Sequence, residues 1–488
     1  MHDQLRREAV IGVGWAFFSS ISVRVLQVVA TLALAKLLMP ADFGIFALSA
    51  LIVSAAAIFR DVGLAQVLIY KQEDIGSIAN TAFYLSLITS LALAGLLFLT
   101  ASAIGRAFDS SAIVLPIQAM SVGLLISGTA NVPLALLDKA LKFKLRSVPE
   151  IAGAVAYALV SLGLGAAGYH AWSLVIGWIA MTAVTTLSAW LVCPWRPGLE
   201  FGREEARVIV RYGKHLMAAA LLGFAFFQAD NASVGKWLGV TALGFYSIAF
   251  TVCNLPATNL SHVVNRVMFP TYSRLQDDLS EMRGAYLRTI KYISLAAFPA
   301  AVGIMVLADP VIQSFYQDRW IPAIPLFHIL ALYGLMRSIG ATPGVVFMST
   351  GNPQLVRRVA VLQLVIAGAL VYPIAHRFGT VGVAVLFTGA YLIGTTYSLW
   401  KVQRILEIEP LGCVKAVALP LSAAGTAGLL AWLVSSGMHP SGWLTVAVTG
   451  TITGCVYAVL IAGLDRKSLG ELRGMLIKAR QGGAAWPA

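Results

Sequence analysis

Long apolar segments follow one another along almost the whole chain and leave room for little else. Between Val10 and Leu464, segments of mostly apolar residues alternate with short connectors. A helix rises about 1.5 Å per residue, so about 18 to 20 such residues cross a hydrocarbon core about 30 Å thick. Backbone hydrogen bonds must be satisfied inside the bilayer, which favours helices for these segments. The pattern predicts an all-α, multi-pass membrane protein.

Composition supports this class and excludes others. Of the 488 residues, 58% are hydrophobic and only 12% are charged, whereas a soluble domain has about 25% charged residues. The net charge of +13 does not indicate a nucleic-acid partner, because Lys and Arg lie in short connectors and not along one stripe. The four cysteines are widely separated and form no disulfide or metal-binding pattern. We therefore expect no cofactor and no metal.

The hydropathy pattern predicts about fourteen membrane helices, arranged as two parallel, pseudo-symmetric lobes of six helices plus two C-terminal helices. The expected domains are an N-terminal lobe (1–192), a cytoplasmic connector (193–214), a C-terminal lobe (215–404), and the two extra helices with a cytoplasmic tail (405–488). Apolar groups at helical spacing among charges predict an amphipathic surface helix over 270–290. The predicted membrane helices cover 10–38, 43–68, 79–104, 113–137, 149–168, 172–192, 215–238, 242–264, 290–307, 321–339, 359–375, 381–400, 414–435 and 443–464.

Lysine and arginine are distributed unevenly between the two sets of connectors. If the N-terminus is placed inside, most of the 35 Lys and Arg fall in the inner connectors. Because cytoplasmic loops carry the excess of Lys and Arg, this bias predicts that both termini face the cytoplasm and that the number of helices is even. The outer connectors hold Lys36, Arg106, Lys236, Arg319 and Arg377.

An internal repeat links the two predicted lobes. In the first copy Lys36 is followed by Gly44 and then by an aromatic residue, Phe46. The second copy has Lys236 and Gly244 at the same spacing, again with an aromatic residue two positions later. Six predicted helices separate the copies, so both enter the membrane from the same side. Two homologous bundles related in this way are typical of alternating-access transporters.

Charged and amide side chains inside the predicted membrane helices, or just beyond the end of one, mark a candidate site, since such groups are costly in hydrocarbon and usually face a cavity or a partner. Cations outnumber acids among them, which suits a phosphate or an acidic sugar. The candidates for binding are Arg24, Arg60 and Arg266, and the candidates for coupling or gating are Asp230, Asp61, Asn231 and Gln228.

Most of these residues also have a purely structural explanation. Arg60 and Asp61 could form a self-neutralised pair near the interface. Arg266 fits the general excess of cations on the inner side, and Asp230 could simply take part in hydrogen bonds between helices. Arg24 favours a cavity role, because at least a dozen mostly apolar residues lie on either side of it.

Six short motifs carry a resemblance to a known family. They are LLMPADFG at 37–44, FRDVGL at 59–64, ADNASVGK at 229–236, LGFY at 243–246, FPTYSRLQ at 269–276 and STGNP at 349–353. In this order and spacing they resemble the Wzx-type polysaccharide flippases, particularly the colanic-acid exporter branch, of the multidrug/oligosaccharidyl-lipid/polysaccharide exporter superfamily. The resemblance extends from the first to the twelfth predicted helix.

The resemblance implies a flippase for undecaprenyl-pyrophosphate-linked oligosaccharide in the bacterial inner membrane, with two six-helix lobes around a V-shaped cavity. Related flippases hold the pyrophosphate with basic residues of the first, second and eighth helices, which implies this role for Arg24, Arg60 and Arg266. A coupling charge for protons or sodium would best fit Asp230. The implied partners are the lipid-linked substrate, membrane lipids, and the polysaccharide polymerase with its chain-length machinery.

Two other functions remain open at this stage. A polysaccharide polymerase or ligase is also polytopic, but it typically needs a large outer loop with catalytic basic residues, and the outer connectors here are short. A multidrug cation exporter of the same superfamily would need an acid-lined cavity. Sequence motifs of nucleotide-binding loops, zinc proteases and serine hydrolases are absent, so we expect a transporter and not an enzyme.

Overall fold

The described part of the chain is built from α-helices. The computed structural model describes residues 19, 22–61, 63–70, 75–316, 318–437, 442–466 and 470, and no β-strand occurs among them. Short 3₁₀ helices at Ser111–Ile113 and Asp318–Ala323 lead into the fifth and twelfth α-helices. The α-helices are α1 (22–37), α2 (Pro40–Asp61), α3 (Leu64–Tyr70), α4 (Ile75–Ala107), α5 (Val114–Gly128), α6 (Asn131–Lys139), α7 (Phe143–Ala166), α8 (Ala171–Val192), α9 (Arg203–Trp237), α10 (Gly239–Arg274), α11 (Leu279–Phe315), α12 (Ile324–Ser349), α13 (Pro353–Ile405), α14 (Gly412–Ser436) and α15 (Trp443–Leu464).

Eleven segments of this part are long and apolar enough to cross a membrane. They confirm the prediction of an all-α, multi-pass membrane protein. The longest helix, α13, has 53 residues, but its backbone leaves the helical region at Gly379, where φ is 60° and ψ is −149°. Glycine adopts this conformation far more readily than other residues. α13 therefore consists of two helical segments, as the separate predicted helices 359–375 and 381–400 require. The total of fourteen membrane helices and their grouping into lobes stay predictions.

The predicted helix over 43–68 is interrupted near its end. α2 stops at Asp61 and α3 begins at Leu64, with Gly63 between them at a φ of +68°. Any other residue would be strained at this φ, and a Cβ atom on Gly63 would lie 2.9 Å from the Cα atom of Gly213 in α9. Pro40–Ile69 is one of the candidate membrane spans, as predicted, but its helix is interrupted where α9 passes close to the backbone of Gly63.

The predicted helix over 113–137 also divides into two. α5 ends at Gly128 and α6 begins at Asn131, with Pro133 in the first turn of α6. Inside a helix, proline leaves a carbonyl oxygen of the preceding turn without its amide donor. At the start of a new helix the first amides have no acceptor within the helix, so proline is tolerated there. This break places Asn131 at a helix start, beside the end of α5.

No separate surface helix occupies 270–290. α10 continues to Arg274, and α11 begins at Leu279 after a short turn. Asp278 caps α11, because its carboxylate accepts hydrogen bonds of 3.0 Å from the amides of Ser280 and Glu281. The apolar spacing that suggested one amphipathic helix belongs to two longer helices. α9 likewise begins earlier than predicted, at Arg203, within the expected connector 193–214.

The helices divide into two compact units, residues Met1–Ser247 and Ile248–Ala488. In unit 1, α5 packs against α4 and α8, α7 pairs with α8, and α2 contacts α5 and α9. In unit 2, α11 contacts α12, α14 and α15, and α12 pairs with α13. Unit 2 buries one large apolar cluster that includes Met282, Tyr286 and Phe347. The predicted domain boundaries at 192, 214 and 404 stay predictions.

The two copies of the sequence repeat touch each other inside unit 1. A Cβ atom on Gly44 would lie 1.6 Å from the carbonyl oxygen of Val240, and one on Gly244 would lie 1.7 Å from the carbonyl oxygen of Pro40. Pro40 and Val240 hold equivalent positions in the two copies, so the contact is self-complementary, as it is across a two-fold axis. Both positions require glycine, since backbone atoms occupy the space of any side chain.

We expect Gly44→Ala to destabilise the protein, because the added methyl group collides with backbone atoms of Val240 that cannot rotate away. Overpacking of this kind costs about 1 to 3 kcal/mol. The measurement is the thermal unfolding of the purified protein in detergent, followed by tryptophan fluorescence. The matched control is Gly95→Ala in α4, where a Cβ atom would meet no atom within 4 Å. Equal melting temperatures for the two variants would contradict the packing described here.

Candidate functional site

Arg60 and Asp61 form an ion pair at the end of α2. The Arg60 Nε atom donates to Asp61 Oδ1 over 2.8 Å. The two side chains differ in exposure, at 9% for Arg60 and 57% for Asp61. The cation also lies in the last turn of its helix, where the helix dipole favours positive charge. The pair thus combines a buried guanidinium with a carboxylate that remains accessible.

The guanidinium of Arg60 has further partners on α5. Its Nη1 atom donates to the carbonyl oxygen of Leu124 over 3.3 Å and to the hydroxyl of Ser127. A buried charge is tolerated only when it is paired and hydrogen-bonded. These contacts supply the partners, and they join the last turn of α2 to the last turn of α5. Arg60 is therefore a buried cation whose Nε and Nη1 atoms both have partners.

Asn131 connects the ion pair to α4. Its Nδ2 atom lies 3.1 Å from Asp61 Oδ1 and 3.1 Å from the hydroxyl of Ser86. Ser86 in turn donates to the carbonyl oxygen of Gly128 over 2.7 Å. Residues Arg60, Asp61, Ser86, Ser127 and Asn131, which we call the Arg60 cluster, thus come from α2, α4, α5 and α6. The break between α5 and α6 is what brings Asn131 to the cluster.

Arg24 lies on α1 and is half-buried. It shares a helix face with Gln27 and Thr31, which follow at spacings of three and seven residues. Gln27 Nε2 lies 3.7 Å from the sulfur atom of Met181 in α8, and Thr31 lies near the side chain of Tyr157 in α7. The face of α1 that carries Arg24 is therefore the face packed against α7 and α8.

Gln228, Asp230 and Asn231 form a second polar cluster in unit 1, on α9. Asp230 is 2% exposed. Its carboxylate accepts hydrogen bonds from the hydroxyl of Tyr246 over 3.0 Å and from the backbone amide of Asn231 over 2.7 Å. The Asn231 Nδ2 atom also reaches Asp230 Oδ1 over 3.3 Å and Gln228 Oε1 over 3.1 Å. The carboxylate is satisfied by local donors, and Tyr246 ties α9 to the first turns of α10.

The structure thus joins Arg60 to Asp61. It also joins Asp230 to Asn231, and Asn231 in turn to Gln228. The side chain of Arg266 lies outside the part that the structure describes. No group of three His, Cys, Asp or Glu within reach of one metal ion occurs in that part. Which of these residues bind substrate or couple transport stays a prediction.

Sequence reasoning missed several polar residues that complete these clusters. Ser127 and Asn131 lie inside the predicted helix 113–137, and Tyr246 lies inside 242–264. The signal available was a polar residue within an apolar segment, but serine and tyrosine are too common there to single out.

In unit 2 Arg337 Nη1 donates to Asn254 Oδ1 over 2.9 Å, which joins α12 to α10.

Comparison with known proteins places the chain among relatives of similar length. The lipopolysaccharide biosynthesis protein WzxC of Escherichia coli (strain K12) is 23% identical over 400 residues, which are 81% of this chain and 80% of WzxC. The teichuronic acid biosynthesis protein TuaB of Bacillus subtilis (strain 168) is 20% identical over 437 residues, which are 88% of this chain and 90% of TuaB. Both relatives match most of the chain.

A solved structure shares the fold. The lipid II flippase MurJ in an inward closed conformation superimposes with a TM-score of 0.74 over 93% of this chain and 99% of MurJ, at 15% sequence identity. At this identity the likeness concerns the fold. The sequence profile of the family described as polysaccharide biosynthesis protein matches residues 33–325, which are more than half of the chain. This multi-pass membrane protein therefore belongs to the polysaccharide biosynthesis protein family, which confirms the resemblance of its motifs.

Proposed function

We propose that the protein flips an undecaprenyl-pyrophosphate-linked oligosaccharide across the bacterial inner membrane during the export of a surface polysaccharide. The observation that carries this proposal is a buried guanidinium, Arg60, within a fold that a lipid II flippase shares over 93% of this chain. The names of WzxC and TuaB, which refer to lipopolysaccharide and teichuronic acid biosynthesis, support the polysaccharide part of the proposal.

Arg24, Arg60 and Arg266 are the proposed binding groups for the pyrophosphate. A guanidinium presents a planar set of donors that matches phosphate oxygens in pairs, and it stays charged at any physiological pH. Arg24 is half-buried on α1. The lipid tail would stay in the bilayer while the sugar passes through a hydrated space between two lobes that alternately open to each side.

Arg60 would exchange one partner for the substrate at its Nε atom. Its Nε atom is occupied by Asp61 in this structure. A pyrophosphate carries more negative charge than one carboxylate, so it would compete for the guanidinium and release Asp61. Asn131 already donates to the same Asp61 oxygen and would hold the released carboxylate. We infer that Asp61 is a replaceable counterion, which keeps Arg60 satisfied when no substrate is present.

Asp230 is the proposed coupling residue. Its carboxylate is buried and accepts from Tyr246, so a cation that binds there would have to displace the tyrosine hydroxyl. Neighbouring Asn231 and Gln228 supply further oxygen atoms for a proton or a sodium ion. This role is separate from the capture of the pyrophosphate, since Asp230 belongs to a different cluster.

The proposal has three further parts, which concern the termini, the chemistry and the partners. Both termini lie in the cytoplasm, the protein carries out no covalent chemistry, and it works beside a polymerase and its chain-length machinery. A polymerase or ligase has less support, because the relatives described above include a flippase fold. A multidrug cation exporter also has less support, because the buried charges of the Arg60 cluster include a cation that a cationic drug would meet unfavourably.

The binding role of Arg24 is tested in vesicles loaded with lipid-linked oligosaccharide. We expect Arg24→Ala to reduce translocation at least about tenfold, because a charge-assisted contact to phosphate contributes about 1.5 to 3 kcal/mol. Arg24→Lys should keep part of the activity, since it retains the charge and loses the paired donors. The matched control is Arg106→Ala, an exposed cation in the last turn of α4. Full activity in both Arg24 variants would refute the role.

The exchange at Arg60 is tested by Asp61→Asn. The amide keeps the size of the side chain and removes the competing charge, so the pyrophosphate should bind more tightly and leave more slowly. We expect a lower half-saturating substrate density and a lower maximal rate in the vesicle assay. Arg60→Ala should instead raise the half-saturating density. Asp277→Asn, at the exposed turn before α11, is the control. An increase in the half-saturating density for Asp61→Asn would exclude this exchange.

A further inference from the structure

Unit 2 contains a cavity of about 650 Å³ among α11, α12, α14 and α15. One wall is a single face of α11, on which lining residues recur at helical spacing from Val302 to Gln313. The opposite wall is a face of α14 from Gly425 to Ser436. Each wall is about 16 Å long at the rise of an α-helix. The cavity is therefore elongated along the helices, as a chain-like ligand requires.

The part of the cavity farther from the helix ends is apolar. Val302 and Val306 line it from α11, and Gly428 and Leu429 line it from α14. A Cβ atom on Gly428 would lie 2.4 Å from a methyl carbon of Val302, so the two helices approach closely at this level. Hydrocarbon is the chemical group that such walls accommodate, because they offer no hydrogen bond.

The other part of the cavity is polar and lies near the helix ends. Asp309 is about 9 Å from the end of α11 at Phe315, at the rise of an α-helix. His328 lies in the first turns of α12, which begins at Ile324, and Ser436 is the last residue of α14. In helices that cross the hydrocarbon, these polar groups lie at the depth of lipid headgroups. The charge bias predicts that this end faces outward.

His328 and Asp309 form a pair at this polar end. His328 Nε2 lies 3.0 Å from Asp309 Oδ2 and 3.0 Å from the carbonyl oxygen of Met305. Both neighbours are acceptors, so Nε2 carries a hydrogen. Within the described residues, neither Nδ1 of His328 nor Oδ1 of Asp309 has another partner. Their side chains are 42% and 47% exposed, so both free atoms can contact a ligand.

Two further residues of the same lining favour an amphiphilic ligand. Trp432 is 57% exposed, and the face of an indole ring attracts ammonium groups. Gln313 lines the polar end with an amide that has no hydrogen-bond partner among the described residues. Protonation of His328 at Nδ1 turns this pair into an imidazolium beside a carboxylate, which complements a headgroup that also carries one charge of each sign.

We propose that this cavity binds a zwitterionic, amine-bearing phospholipid of the phosphatidylethanolamine type. The ammonium group contacts Asp309 Oδ1 and the Trp432 ring, and the phosphate accepts a hydrogen bond from Nδ1 of the His328 imidazolium. The first part of an acyl chain follows the apolar wall at Val302 and Val306. An anionic glycerol headgroup binds less well, because it has no ammonium group and leaves Asp309 facing a negative phosphate.

The test uses the purified full chain in detergent and two phospholipids with identical acyl chains. Equal amounts of phosphatidylethanolamine and phosphatidylglycerol are added, and native mass spectrometry measures how much of each stays bound. We expect a preference of about fivefold for phosphatidylethanolamine, the effect of one contact worth about 1 kcal/mol. Asp309→Asn should bring the ratio close to one. His328→Gln should reduce the retention of both lipids, because both carry the phosphate.

The matched control is Asp318→Asn, which changes an exposed acid in the adjoining 3₁₀ helix and should leave the preference unchanged. A ratio near one in the unmodified protein, or an Asp309→Asn variant that keeps the preference, would overturn the proposal. Displacement of bound phosphatidylethanolamine by added undecaprenyl phosphate would also overturn it, since the cavity would then accept the isoprenoid carrier. The readout needs no flipping, so it is independent of the proposed function.

Discussion

The cost of placing a polar group in hydrocarbon is the constraint on which the rest of this structure depends. It requires backbone amides within the membrane to find partners in the protein, which a helix supplies for all but its first turn, and this explains why the described part of the chain is helical. The same cost applies to side chains. Arg60 is buried, and three elements of its surroundings (Asp61, a carbonyl oxygen and a hydroxyl) neutralise or solvate it. The charged residues of unit 1 described above therefore occur within hydrogen-bonded clusters.

Such clusters give a chemical reason for a conformational response to substrate. Asp61 occupies the cation that the substrate would need, and Asn131 holds the same carboxylate from the other side. A ligand that replaces Asp61 would change contacts on α2 and α6 together. The Asp230 cluster is arranged differently, because its donors come from its own helix and from Tyr246. One cluster suits exchange with an anion, and the other suits the capture of a cation.

Close backbone contact is the second determinant of the fold. Gly44 and Gly244 let the repeated segments touch through their carbonyl groups, and Gly63 lets the chain turn beside α9. In unit 2 Gly428 lets α14 approach α11 closely, and it lines the apolar part of the cavity whose polar end holds His328 and Asp309. A larger residue at these glycine positions would move the helices apart. The close contacts therefore help to determine where the cavities lie. The location of the proposed lipid site thus follows from packing and not from one motif.

Apolar length and the distribution of charge by themselves determined that this protein is helical, crosses a membrane many times and carries cations within its membrane helices. The internal repeat that makes Gly44 and Gly244 equivalent was also visible in the sequence, because it depends on residue type and spacing alone. Only the tertiary structure decided that Arg60 contacts α5, that Asn131 joins its cluster and that His328 meets Asp309 at a cavity. Hydropathy reports the cost of burying a residue along one helix. It carries no information about which partner on another helix will offset that cost, and the packing of the helices makes that choice.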